Sequence, residues 1–248
     1  IMFFAFISAL SAEHLMTFAL LFIVGLVGAF LFVRFNRKES LIDLGILKNH
    51  RFVALIFSLL VYQALLLGLS FVLPSFIQVS AGFSSSVAGL FMFPGALIGA
   101  VLAPISGKVL DQIGARKPIT TGLILAALGL ALLFVFLPTK SLALLLVAHI
   151  VLMLGLGISY SNLMTCSLST LATDQLSDGN ALVNTLQQFI GAVATAVVAT
   201  TLSIFQGLNG FKVGTSHGTS IILALFFILI IVSLIVSFPN LKKIKANH

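Results

Sequence analysis

One acid and three bases share the short polar run Gly107-Lys108-Val109-Leu110-Asp111-Gln112-Ile113-Gly114-Ala115-Arg116-Lys117. Asp111 can accept hydrogen bonds from the N–H groups that open a following helix, where the positive end of the helix dipole favours an anion. Arg116 and Lys117 offer that acid a counter-charge. Gly114 can take a turn conformation closed to other residues, and Gly107 can let two backbones approach. An ion pair at a joint between helices is made or broken as the helices shift, which is the chemistry of a conformational latch and not of a catalyst. Cys166 is the only cysteine, so neither an internal disulfide nor a thiolate metal site can be built, and it reads as a small apolar packing residue.

Positioning such a latch falls to the apolar runs on either side, Val87 to Ile105 and Ile119 to Leu137. Each is close to the roughly 20 residues that carry a helix across about 30 Å of hydrocarbon. Hydrophobic residues make up 60% of the 248 and charged residues 8%, with a mean hydropathy of +1.22. A soluble domain could not bury that much apolar surface with so few charges, so the class is an all-α polytopic membrane protein. The alternating short segments of a closed β-barrel are not seen. The formal charge of +7 would suggest nucleic acid for a soluble protein, but here the basic residues sit at helix ends, where they set orientation, and no nucleic acid is implied.

In chain order, Ile1 to Leu10 reads as the end of one linker span and Leu15 to Val33 as a complete second one, together 1–35, with Glu13 and His14 in the turn between them. The chain opens inside an apolar run without an initiator methionine, and is expected to be the second part of a longer protein. Residues 36–51 interleave charge with leucine and isoleucine, as an interfacial cytoplasmic linker does. Spans starting at Phe52, Val87, Ile119, Ser141, Ala181 and Thr219 make a six-helix bundle over 52–239, and 240–248 is a basic tail with Lys242, Lys243 and Lys245. Within this plan the first span is expected to stop at Pro74, with Pro74 to Ser86 as an uncharged loop whose serines cap the next helix. That next helix carries Pro94 and Pro104 as kink sites and Gly95 and Gly99 at close-packing spacing. Ser161 to Asn180 reads as a polar connection, where Asp174 and Asp178 cap helices and face water, and Gly207 to His217 as a glycine-rich loop.

Polar groups inside spans must face protein or water. Gln63, beside Tyr62, is a cavity candidate or an interhelical hydrogen-bonding group. Asn184, Gln187, Gln188 and Gly191 recur at three- and four-residue spacing, so at least three share one stripe of a helix, again as cavity lining or interhelical glue. His149 in mid-span would carry a proton if it lined a wet cavity.

The pattern G-x-x-x-D-x-x-G-x-R-K at Gly107 to Lys117 resembles the loop motif that follows the second helix of each half in the major facilitator superfamily. Leu41 to Phe52 resembles the acidic-leucine linker before the C-terminal six helices of its fourteen-helix drug:proton antiporters, and Ala88-Gly89-Leu90 through Gly107 resembles the corresponding helix of those proteins. Asn180 to Ala192 resembles their penultimate helix, whose glycine-small-x-asparagine-x-x-glutamine pattern lines the central cavity. The resemblance implies the C-terminal portion of an efflux transporter for amphipathic or cationic compounds, driven by protons through rocking of two bundles around a midplane cavity. On that reading Gly107, Asp111, Gly114, Arg116 and Lys117 form the conformational motif, and Gln63, Asn184, Gln187 and Gln188 face the cavity. His149 is a possible proton site. The partners implied are the lipid bilayer, the transported compound, protons and the N-terminal half of the transporter. No enzyme activity, cofactor or metal is implied. The family's proton-coupling acids lie in the N-terminal half, and no carboxylate falls inside a complete span here, so this part is not expected to transport alone.

Placing the loop motif in the cytoplasm puts eleven of the 13 basic residues inside, with Lys140 and Lys212 outside, as the positive-inside rule requires, and fixes a cytoplasmic C-terminus in the cell membrane. An importer or facilitator of a metabolite within the same superfamily is the alternative. A membrane-embedded enzyme or assembly factor would need clustered reactive side chains in mid-span, and only His149 qualifies.

Overall fold

The computed structural model describes residues 44–241 together with Ile23, Val27 and Arg34. The expected spans within 1–35, most of the linker 36–51 and the tail from Lys242 lie outside the described residues. A short 3-10 helix, Leu44–Lys48, turns Ile46 into the core. Asn49 then caps α1 (His50–Ser75): its side chain accepts from the N–H groups of Arg51 and Phe52, and its amide donates to the Thr170 carbonyl at 2.9 Å. There follow α2 (Ser85–Ile113), α3 (Arg116–Phe136), α4 (Leu142–Leu168), α5 (Leu176–Asn209) and α6 (Phe211–Asn240). Six helices are long and apolar enough to cross a membrane among the described residues.

The helices outrun the expected spans at most of their ends, because in hydrocarbon a backbone group is satisfied most readily inside its own helix. Pro74 does not stop α1. Its missing N–H costs one bond, the Phe76 N–H reaches the Val72 and Leu73 carbonyls, and a π-helical turn, Phe76–Ser80, carries the chain on. The expected loop from Pro74 to Ser86 therefore shrinks to residues 81–84, with Ser84 capping α2 as expected through a bond from the Val87 N–H at 3.4 Å. Nor is Gly207 to His217 a loop: α5 runs to Asn209 and α6 starts at Phe211, with Gly210 at φ 77° reversing the chain. The polar connection expected from Ser161 also begins as helix. There α4 continues to Leu168 while Thr165 and Ser167 donate their hydroxyls to the Ser161 and Met164 carbonyls of their own turn.

The closest pairing is the hairpin of α3 and α4, where Gly122, Gly129 and Gly155 leave no room for side chains. A Cβ on Gly155 would lie 2.5 Å from the Ala126 amide nitrogen and the Gly122 carbonyl oxygen. α2 packs on α4, α5 on α1 and α6, and α6 also on α1 and α3. α1 is the most enclosed, with 67% of its most apolar stretch buried, against 17% for α2 and 28% for the element containing α5. Buried serines join α1 to α6, the Ser58 and Ser237 hydroxyls lying 2.6 Å apart and Ser58 donating to the Ser233 carbonyl. The Asn49–Thr170 bond and the Arg116 guanidinium over Phe238 tie the starts of α1 and α3 to the ends of α4 and α6. Lys48, Arg51, Lys108, Arg116 and Lys117 thus gather at one end of the bundle, and Lys140 and Lys212 at the other.

Candidate functional site

The loop motif is mostly helix. α2 passes through Gly107 and Lys108 to Ile113, so Asp111 sits in its last turn, exposed, and the turn itself is only Gly114 and Ala115. Gly114 takes φ 76°, the left-handed region expected of it, with its N–H on the Leu110 carbonyl at 2.9 Å. Three local expectations are corrected. Asp111 does not cap α3, because it stands on the preceding helix. It makes no ion pair or hydrogen bond with Arg116, Lys117 or any other side chain among the described residues; Arg116 instead places its guanidinium 4.3 Å above the Phe238 ring. A Cβ at Gly107 would meet none of the described residues within 4 Å, so it serves no close approach among them, and Gly99 is equally open.

The amides fare differently. Gln63 on α1 and Gln187 on α5 are brought together by a residue that the spacing argument did not select, Tyr160 on α4. Its hydroxyl donates to Gln63 Oε1 at 2.6 Å and accepts from Gln187 Nε2 at 2.8 Å. One residue before this rung on both helices, Tyr62 and Ser159 share a buried bond of 2.7 Å, and Ser159 also donates to the Gly155 carbonyl. Two adjacent rungs, 62 to 159 and 63 to 160, therefore fix α1 against α4. The signal was present in the composition. The chain holds 23 phenylalanines and 2 tyrosines, and both hydroxyls stand at this one crossing. Gly191 backs the Gln63 side chain, for a Cβ there would press on Leu67 and lie 3.5 Å from Gln63 Nε2.

Asn184 and Gln188 are exposed, on the outer side of α5. Asn184 donates to the Asn180 carbonyl and side-chain oxygen of the previous turn, so the stripe divides, with Gln187 turned inward and the other two outward. His149 is fully buried, its ring stacked on Phe91 with centroids 5.3 Å apart, and neither nitrogen has a partner. Gly95 on α2 makes the space for it, since a Cβ there would lie 2.5 Å from His149 Nε2. The wet cavity on which its proton-carrying role was conditioned is absent from this packing. A second link from α4 to α2, Asn162 donating to the Ser106 carbonyl at 3.2 Å, lies two residues beyond Pro104. Among the described residues no three His, Cys, Asp or Glu side chains converge as metal ligands would.

Six apolar helices locked by buried polar rungs define a multi-pass membrane protein. The chain belongs to the major facilitator superfamily, whose sequence profile matches residues 1–196. Among curated relatives, it is 30% identical over 180 residues to the lincomycin resistance protein LmrB of Listeria innocua, covering 73% of this chain and 38% of that protein. It is 25% identical over 190 residues to the multidrug efflux pump LfrA of Mycolicibacterium smegmatis, covering 76% and 38%. Against the multidrug resistance protein Stp of Mycobacterium tuberculosis it is 32% identical over 142 residues, covering 56% and 25%. The chain thus spans well under half the length of these relatives.

Proposed function

We propose that the chain is the C-terminal part of a proton-driven multidrug efflux transporter of the fourteen-helix branch, working by alternating access in the cell membrane. The drug-resistance names of its relatives support the substrate class, amphipathic or cationic small molecules. The observation that carries the reading is the outer face of α5: Asn184 and Gln188 are exposed on a membrane helix. Hydrocarbon cannot satisfy those amides, so that face meets water or another protein. In this reading 1–35 holds the linker helices, 36–51 the cytoplasmic linker, 52–239 the C-terminal bundle and 240–248 a cytoplasmic tail. The N-terminal half of the transporter covers α2 and α5, the two least enclosed helices, and the cavity opens between the halves with Gln63, Asn184, Gln187 and Gln188 lining it.

Asp111, exposed without a counter-charge, stabilises one access state by pairing with a cation of the other half, or with Arg116 or Lys117 once α2 has shifted. His149 takes up a proton only in a state where α2 has lifted away, because in the present packing no solvent reaches its ring. The test uses the full-length protein in a drug-sensitive host. Wild type raises resistance to lincomycin and ethidium, and nigericin abolishes drug accumulation in inside-out vesicles. Asp111→Asn lowers resistance at equal membrane expression; unchanged resistance would reject the latch, and accumulation indifferent to the proton gradient would reject proton coupling.

A further inference from the structure

We propose that Tyr160 holds Gln63 and Gln187 as a neutral donor–acceptor pair that binds an uncharged amide or hydroxyl group of the transported compound. Building on the transport reading above, this assigns the C-terminal half selection by hydrogen bonding, with any recognition of charge supplied from elsewhere.

Tyr160 spends its one proton on Gln63 and one lone pair on Gln187. That leaves the Nε2 group of Gln63 with two N–H donors and the Oε1 of Gln187 with its lone pairs, and neither atom makes another bond among the described residues or is sealed in the interior. Turning both amides over would reverse the direction of the line and exchange the two roles, yet one free donor group and one free acceptor would remain. The outcome is therefore a property of the three side chains and not of how one amide is drawn. A tyrosine hydroxyl is needed for it, because only a group that donates and accepts at once can hold one amide by its oxygen and the other by its nitrogen.

The described surroundings hold no charge beside the pair. Lys48, Arg51, Lys108, Asp111, Arg116, Lys117, Lys140, Asp174, Asp178 and Lys212 all stand at or near helix ends. His149 lies eleven positions before Tyr160 on the same helix, about 16 Å along its axis, and is enclosed by Phe91, Gly95 and Met153. Among the described residues nothing near the pair can neutralise a permanent ion, whereas an amide or hydroxyl offers one acceptor and one donor to match it. The position is rigid: the Tyr62–Ser159 rung sets the register of α1 on α4, and the missing side chain of Gly191 gives Gln63 its room.

The test follows transport by the full-length protein in inside-out vesicles with two probes, chloramphenicol, a neutral amide with two hydroxyls, and tetraphenylphosphonium, a cation without a hydrogen-bonding group. Tyr160→Phe is expected to raise the KM for chloramphenicol about tenfold, the worth of a lost buried hydrogen bond, while kcat and tetraphenylphosphonium transport stay within a factor of about two. Gln187→Glu, read independently, is expected to shift preference towards the cation. An unchanged KM for chloramphenicol in Tyr160→Phe, an equal loss for both probes, or an unaltered preference in Gln187→Glu overturns the proposal. A wild-type protein that moves only the cation overturns it while leaving the efflux reading standing; one that moves neither removes both.

Discussion

At the scale of single residues, His149 stands out among the described residues for having both of its ring nitrogens buried and unpaired. A neutral imidazole keeps one N–H donor and one acceptor, and each left unpaired in a sealed site costs about 1–3 kcal/mol. Its stacking on Phe91 and its seat against Gly95 offset part of that cost. The seat is tight enough to predict. Gly95→Ala puts a methyl 2.5 Å from Nε2 and should destabilise the detergent-purified full-length protein by about 1–3 kcal/mol. In a His149→Ala background the same change should cost measurably less, a coupling of about 0.5–3 kcal/mol. Additive losses in thermal unfolding would show that the two residues do not share this space. Much of the site was legible residue by residue for the same reason: an amide in an apolar run must find a partner, which selected Gln63 and Gln187. Their partner was not, since Tyr160 closes the apolar run just before it gives way to serine and asparagine, and so reads as the last residue of a span. Asp111 misled in the opposite way. Its spacing before Arg116 fits a capping acid, but α2 absorbs it into a last turn, where it makes no bond to the next helix among the described residues.

Among the elements, the apolar runs located the six described spans, because hydrophobicity over about 20 residues is a property of sequence alone. Their ends were not located, because polar and glycine-rich stretches that would form loops in water remain helical here, with hydroxyls bonded back onto their own turns. Proline likewise marks a boundary in water, yet here it lies inside α1, α2 and α6. What holds the elements together is therefore close approach more than hydrophobic burial, lipid being as apolar as the side chains. Two glycines separate these ideas. Gly155→Ala must push α3 off α4, since its methyl meets backbone atoms that cannot yield, and should cost about 1–3 kcal/mol or prevent accumulation of monodisperse protein. Gly107→Ala meets open space and should be neutral or gain up to about 1 kcal/mol of helix propensity. Size-exclusion profiles and melting of the two variants check this, and equal damage from both would mean that Gly107 also lies in a close contact. A Gly107→Ala protein that folds normally yet fails to transport would place that contact on the other half of the transporter.

For the whole molecule the question is which end of the bundle faces the cytoplasm. Bonds between helix ends collect Lys48, Arg51, Lys108, Arg116 and Lys117 on one side and leave Lys140 and Lys212 on the other. Translocating a loop with several basic residues is disfavoured, so the crowded end belongs inside. Cysteine labelling of the full-length protein tests this directly, with Gln112→Cys reporting on the crowded end and Lys140→Cys on the sparse one, both positions being exposed. Cys166, 2% exposed, should stay silent as a background. A membrane-impermeant maleimide on intact cells is expected to label Lys140→Cys at once and Gln112→Cys only after permeabilisation. The reverse pattern would carry Asp111 to the outer mouth, where pairing with it would hold the opposite gate. The same acid would then stabilise the inward-open state in place of the outward-open one, and Asp111→Asn would change which side of the membrane the cavity favours.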